Sequence, residues 1–180
     1  MLSVLSAFIG YVLPYGQMSY WGATVIISMV SALPVVGVDA VHLIWAGYEV
    51  DLATVSRFFA IHYLLPLLAV VVVVAHLACL HETGSSSVGS ACSYIPFDPY
   101  FRSKDSVGVL TGLVMQIYTS LHAPNALGHP DNYINADGLV TPAHIVPEWY
   151  FLPFYAVLRS VPSKLLGVVL MLIALLVLTL

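Results

Sequence analysis

Residues 57–82 read RFFAIHYLLPLLAVVVVVAHLACLHE, and the interior, 58–81, carries no Asp, Glu, Lys, Arg or Gly. As an α-helix that interior is roughly 36 Å long, enough to cross a hydrocarbon core of about 30 Å. The pattern predicts one long helix over 53–83. Pro66 cannot donate to the carbonyl of His62, so a local bend is expected within it. Other apolar runs are shorter or weaker. Residues 1–13 read as the end of a transmembrane helix, reaching only ~20 Å and closed by Pro14. Residues 107–121, VGVLTGLVMQIYTSL, predict a second span. After Lys164 the last residues, LLGVVLMLIALLVLTL, begin a third that reaches ~24 Å. Runs that stop short of a full crossing at both ends lead to the expectation of a piece of a longer protein.

The polar and broken stretches place the connections. GYVLPYGQMSYWG (10–22) mixes glycines with aromatic residues, as suits the membrane–water interface. Residues 23–47, broken by Pro34, Gly37 and Asp39, predict short helices along the surface or over the bundle rather than a span. ETGSSSVGSACSYIPFDPYF (82–101) is a loop by its Gly, Ser and Pro content, and 122–146 is a long polar loop. PEWYFLPFYAVLRSVPSK (147–164) predicts a short interfacial helix. Alternating spans put 10–52 and 122–164 together on one face and 82–106 on the other.

Composition sharpens this picture. The 180 residues are 60% hydrophobic and 8% charged, with a mean hydropathy of +0.95. Soluble domains carry about 25% charged residues, so the expected class is an all-α integral membrane helix bundle in the lipid bilayer. The net charge of −4 has no basic cluster behind it, which argues against nucleic acid or an anionic-lipid anchor. Cys79 and Cys92 lack metal-type spacing, and Cys79 reads as a packing residue. No cleavable-signal pattern opens the chain. Lys and Arg do not set an orientation, since Arg102 and Lys104 on one side face Arg57, Arg159 and Lys164 on the other.

Three places could carry chemistry. His62 and His76, fourteen residues apart, point to nearly the same helix face with about 21 Å of rise between them. Imidazoles at membrane depth face a bundle interior or a cofactor, and haem iron favours imidazole. Spacing alone leaves two readings: two stacked haems, or two histidines bonded to neighbouring helices. Glu148 sits among Trp149, Tyr150, Phe151, Phe154 and Tyr155, where partial desolvation favours the neutral form and raises the pKa, as suits a carboxylate that accepts a proton from a hydroquinone. A helix-capping Glu after Pro147 explains the same residues. His81 and Asp105 sit at comparable depth and could hydrogen-bond the carbonyls of a quinone, or form an interfacial polar pair. His122, His129 and His144 fit no zinc spacing.

Several stretches together resemble mitochondrial-type cytochrome b, the haem-bearing core of ubiquinol–cytochrome c oxidoreductase, respiratory complex III. They are GYVLPYGQMSYWGATVI (10–26), RFFAIHYLLP (57–66), HLACLHETGS (76–85), GHPDNY (128–133) and PEWYFLPFYAVLRSVPSK (147–164), and the resemblance covers essentially the whole chain. It implies part of a di-haem, quinone-binding N-terminal bundle over 1–105 and the start of a C-terminal helix domain over 106–180. It implies two haem b groups, the low-potential one on His62 and the high-potential one on His76, each iron needing a second histidine from outside this chain. Phe8, Tyr11, Met18, Gly22, Ile26, Pro147, Glu148, Phe151 and Tyr155 match positions lining the quinol-oxidation site. His81, Ser85, Lys104 and Asp105 match positions around the quinone-reduction site. Catalytic roles fall on Glu148, Tyr155, His81 and Asp105.

By the same resemblance, ubiquinol is oxidised near Glu148. One electron goes to an iron–sulfur (Rieske) protein, and the other crosses the membrane to reduce quinone beside His81 and Asp105, with proton translocation. Implied partners are that protein, cytochrome c1, other complex III subunits and the missing cytochrome b helices or a second chain carrying them, in a dimeric complex. The implied location is the mitochondrial inner membrane, crossed several times. Tyr15 stands where the family usually has Trp, and the exchange keeps an aromatic there. The photosynthetic relative is divided between the long histidine helix and the next span. Here the two are continuous, which favours the respiratory type. A haem-free structural fragment of a membrane complex is the alternative. An unrelated di-haem cytochrome is a third reading, against which the PEWY segment stands.

Overall fold

The computed structural model describes residues 1–85 and 95–178. Among them the regular elements are helical: α1 (Leu2–Val12), α2 (Gln17–Ser28), α3 (Gly37–Trp45), α4 (Leu52–Thr83), α5 (Arg102–His122), α6 (Leu152–Arg159) and α7 (Lys164–Val177). Short 3-10 turns at Met29–Ala32, Pro130–Tyr133 and Trp149–Phe151, and a π-turn at Phe97–Phe101, lie between them. Cys92 and part of the serine-rich loop fall outside the described residues.

The long helix begins one residue before the expected 53, and its ends are set by local chemistry. Asp51 Oδ1 accepts from the Leu52 amide at 2.7 Å while Thr54 Oγ1 accepts from the Asp51 amide at 3.2 Å. This reciprocal cap satisfies amides that a first helical turn leaves free. Gly84 closes the other end at φ +77°, donating to the Leu80 carbonyl at 2.8 Å. Left-handed backbone of this kind favours glycine, which gives the HETGS stretch its structural meaning. Pro66 lies inside α4 without ending it.

α4 is 32 residues long, and its most apolar 18-residue window has a mean hydropathy of 2.5 with only 11% of it buried. In water Val70–Val74 and their neighbours would form a large apolar patch. In hydrocarbon the same surface meets tails as apolar as itself, and the helix bonds its interior backbone groups within itself except where Pro66 has no amide to offer the His62 carbonyl. Among the described helices α4 alone has the length and hydropathy to cross a membrane, and α1 and α7 are apolar but shorter. α5 is 21 residues long because it starts before the predicted 107, taking Arg102, Lys104 and Asp105 into its first turn.

Two compact units emerge, Met1–Val73 with His129–Leu180, and Val74–Gly128. In the first, α1 and α2 pack around Ile9, Val12, Tyr20, Ala23 and Ile27, joined by Val41, Val50, Phe58 and Leu65. Tyr15 turns the chain between α1 and α2 at φ +52°. Its hydroxyl donates to the Val50 carbonyl at 3.1 Å, and its ring meets Tyr20 edge-on at 6.3 Å. An aromatic side chain is thus kept at this turn and gains a hydrogen bond.

The expected pairing of 10–52 with the later polar segment is found for residues 129–164. Gln17 Nε2 donates to the Val140 carbonyl and Gln17 Oε1 accepts from the Asp137 amide, each at 3.1 Å. Asn132 Oδ1 accepts from the Ser19 amide at 2.9 Å, and Lys164 Nζ donates to Ser31 Oγ at 2.8 Å. Ser19 is fully buried, so Asn132→Ala would leave its amide without a partner. We expect a loss of about 1–3 kcal/mol, read as a lower Tm in detergent, whereas an unchanged Tm would show that the strap is not held at this point.

In the second unit, Arg102 forks onto Asp98 at 2.9 and 3.0 Å. Both side chains are more than half exposed, so the pair adds little stability.

Candidate functional site

Helix α1 presents two different faces. Ser3, Ser6, Ala7 and Gly10 recur at helical spacing, i, i+3, i+4 and i+7, and make one face small. Together with His62, Leu65, Pro66 and Ala69 of α4 they line a cleft of about 460 Å³. Gly10 lies so close to His62 that a Cβ there would sit 2.5 Å from the imidazole Cε1. His62 Nδ1 is buried and has no hydrogen-bond partner among the described residues. Leaving such a nitrogen unpaired costs free energy, and a cofactor seated in the cleft would give the ring its function. The volume suits a cofactor, and the donor is the imidazole that haem iron favours. These residues fit a haem.

The opposite face of α1 borders a second chamber of about 400 Å³, almost wholly apolar. Five residues expected at the quinol-oxidation site, Phe8, Ile26, Pro147, Phe151 and Tyr155, meet around it. α6 places Tyr155, after a start at Leu152–Pro153 where proline suits a first helical turn. Tyr11, at the end of α1, and Glu148 lie within electrostatic reach of each other. Burial, and then the same carboxylate, raise the Tyr150 phenol above its ordinary pKa, which keeps it protonated at neutral pH. Met18 and Gly22 lie two turns and one turn before Ile26 on α2, outside the chamber lining. Met18 is buried, and a Cβ at Gly22 would meet open space.

Sequence reasoning missed part of both linings. The small face of α1 was signalled by its spacing, since Ser, Ala and Gly recurring every turn in an apolar helix permit close approach. Met171 and Leu175 of α7, with Val4 and Leu5 of α1, complete the chamber. Nothing in a uniformly apolar run marks such residues beforehand.

His76, His81, Ser85, Lys104 and Asp105 all belong to the second unit and are exposed. His81 lies in the last turn of α4 and Asp105 in the first turn of α5. Among the described residues no ion pair joins them.

Comparison with known proteins gives a consistent result. A family model described as Cytochrome b/b6/petB matches residues 1–84, and one described as Cytochrome b(C-terminal)/b6/petD matches residues 135–180. The cytochrome b of Rickettsia prowazekii (strain Madrid E) is 56% identical over 176 residues, covering 95% of this chain and 44% of the relative. That of Spizellomyces punctatus is 53% identical over 180 residues, covering 98% and 46%. A chain of a solved hyperthermophilic respiratory Complex III superposes with a TM-score of 0.80 at 31% identity, covering 97% of this chain and 49% of that one. The chain spans less than half the length of the curated relatives it matches.

Proposed function

This chain belongs to the cytochrome b family, and from that premise we propose that it is part of the electron-transfer subunit of respiratory complex III. It oxidises ubiquinol in the chamber beside Glu148 and reduces quinone near His81 and Asp105, on the other side of the inner membrane of a mitochondrion. The observation that carries this reading is the meeting of Phe8, Ile26, Pro147, Phe151 and Tyr155 around one apolar chamber, with Glu148 following the lining residue Pro147.

The chemistry follows from those side chains. An apolar chamber takes the ring and tail of a quinol and excludes water. Glu148, adjoining the lining residue Pro147, is the carboxylate able to accept a hydroxyl proton. Tyr155 and Phe151 hold the ring by packing. His62 and His76 would hold haem iron, with the cleft of Ser3, Ser6, Ala7 and Gly10 giving the first group room. Bound there, haem b supplies one-electron acceptors and donors, so that the two electrons of a quinol can part, one to an iron–sulfur protein and one across the membrane. In the second unit the polar groups of His81, Ser85, Lys104 and Asp105 supply hydrogen bonds and protons to a quinone. The Rieske protein, cytochrome c1 and the histidines that complete each haem come from other parts of a dimeric, multi-pass assembly.

The test is a dithionite-reduced minus oxidised spectrum of the purified membrane complex. Two b haems per copy of this chain are expected. None would make the chain a haem-free structural piece.

A further inference from the structure

α6 is only eight residues long, too short to hold its own conformation in isolation, yet it carries Phe154, Tyr155 and Leu158 to the chamber. Arg159 is the residue one turn after Tyr155. Its guanidinium carbon lies 5.5 Å from the centre of the Tyr155 ring, inside the range in which a cation is drawn to an aromatic face. The Arg159 side chain is exposed and the ring partly buried, so the cation covers one side of a ring that lines the chamber. Among the described residues no salt bridge holds Arg159 elsewhere.

We propose that Arg159 is the positioning residue for Tyr155, fixing the ring at the chamber wall and thereby setting the affinity for quinol, an inference that rests on the chamber being the quinol-oxidation site. Arg159 takes no part in proton or electron transfer. A cation in the last turn also favours the carbonyl end of any helix, so the test must separate that general role from the contact with the ring.

In the assembled complex, Arg159→Gln should raise KM for ubiquinol about two- to fivefold, the size of one cation–ring contact, with kcat changed less than KM. Arg159→Lys, which keeps a cation over the ring, should restore most of the affinity. In a Tyr155→Leu background, itself raised in KM, Arg159→Gln should add nothing. A fluorine label on the Tyr155 ring should shift its NMR resonance on Arg159→Gln, independently of turnover. An equal KM change with and without the Tyr155 ring, or an unmoved resonance, would overturn the proposal. If Tyr155→Leu leaves KM unchanged, the quinol-site reading itself fails. If Tyr155→Leu raises KM and Arg159→Gln does not, only the role of Arg159 fails. The b-haem spectrum reports assembly. Should Arg159→Gln lose it, Arg159→Lys decides: KM near the parent's supports the contact, and a KM equal to that of Tyr155→Leu refutes it.

Discussion

Replacing Glu148 by Gln in the assembled complex is expected to lower kcat for quinol oxidation by about a hundredfold while leaving the b-haem spectrum intact. The substitution keeps the shape of the side chain but replaces a carboxylate by an amide, which accepts hydrogen bonds yet is too weak a base to take a proton. A positioned general base contributes about 10²–10⁴ in rate. The lower end applies here, because Glu148 is only partly buried. No other Asp or Glu occurs between 141 and 164, so no neighbouring carboxylate on that segment can take over. Tyr150 cannot replace it either, since a phenol keeps its proton at neutral pH and burial holds it further even without the Glu148 charge. Steady-state reduction of cytochrome c by ubiquinol checks this. A kcat within twofold of the parent's would mean that Glu148 merely precedes a short helix and that the proton leaves by another group.

The parts of this molecule that could be read beforehand are those written in local chemistry. The long helix was legible because twenty-four residues without charge or glycine have one economical solution in a membrane, and Asp51, Thr54 and Gly84 supply its ends. The division into short helices around Pro34 and Gly37 was legible from the breakers, whereas the burial of Ala23, Ile27 and Val41 in the core was not. Of the residues proposed for the quinol site, Phe8, Ile26, Pro147, Phe151 and Tyr155 come from three separate segments, and only the family resemblance brought them into one group. Periodicity could say that Ile26 lies on a helix face, but not which face meets Phe8. The strap from Asn132 to Val140 was less legible still. Gln17 and Ser19 read as interfacial polar residues, and their partners lie more than a hundred positions away. The start of α5 was misplaced by five residues because hydropathy marks where a span becomes apolar, whereas a helix continues through Arg102, Lys104 and Asp105, whose side chains reach water while the backbone stays bonded.

Gly10 shows best what pattern cannot give, and its substitution should have the second large effect. In sequence it is one glycine in an apolar helix, a small cost to helix stability. In the structure a Cβ at that position lies 2.5 Å from Cε1 of His62, 3.1 Å from Nε2 and 3.2 Å from Nδ1. The flat imidazole fills the space that a methyl group would need. Gly10→Ala therefore forces the ring to turn or α1 to move, at a cost of about 1–3 kcal/mol for an overpacked contact. A free histidine could turn, but one that ligates iron cannot turn without losing its geometry. The expected result is one b haem per copy in place of two, with the His76 site retained. Gly112→Ala is the control, since a Cβ there meets nothing within 4 Å. It should keep both haems and gain about 1 kcal/mol of helix propensity. Reduced minus oxidised spectra of the two variants, resolved by redox titration, decide the matter. Two haems with unchanged potentials in Gly10→Ala would show that the close approach of α1 to His62 is not what seats the group.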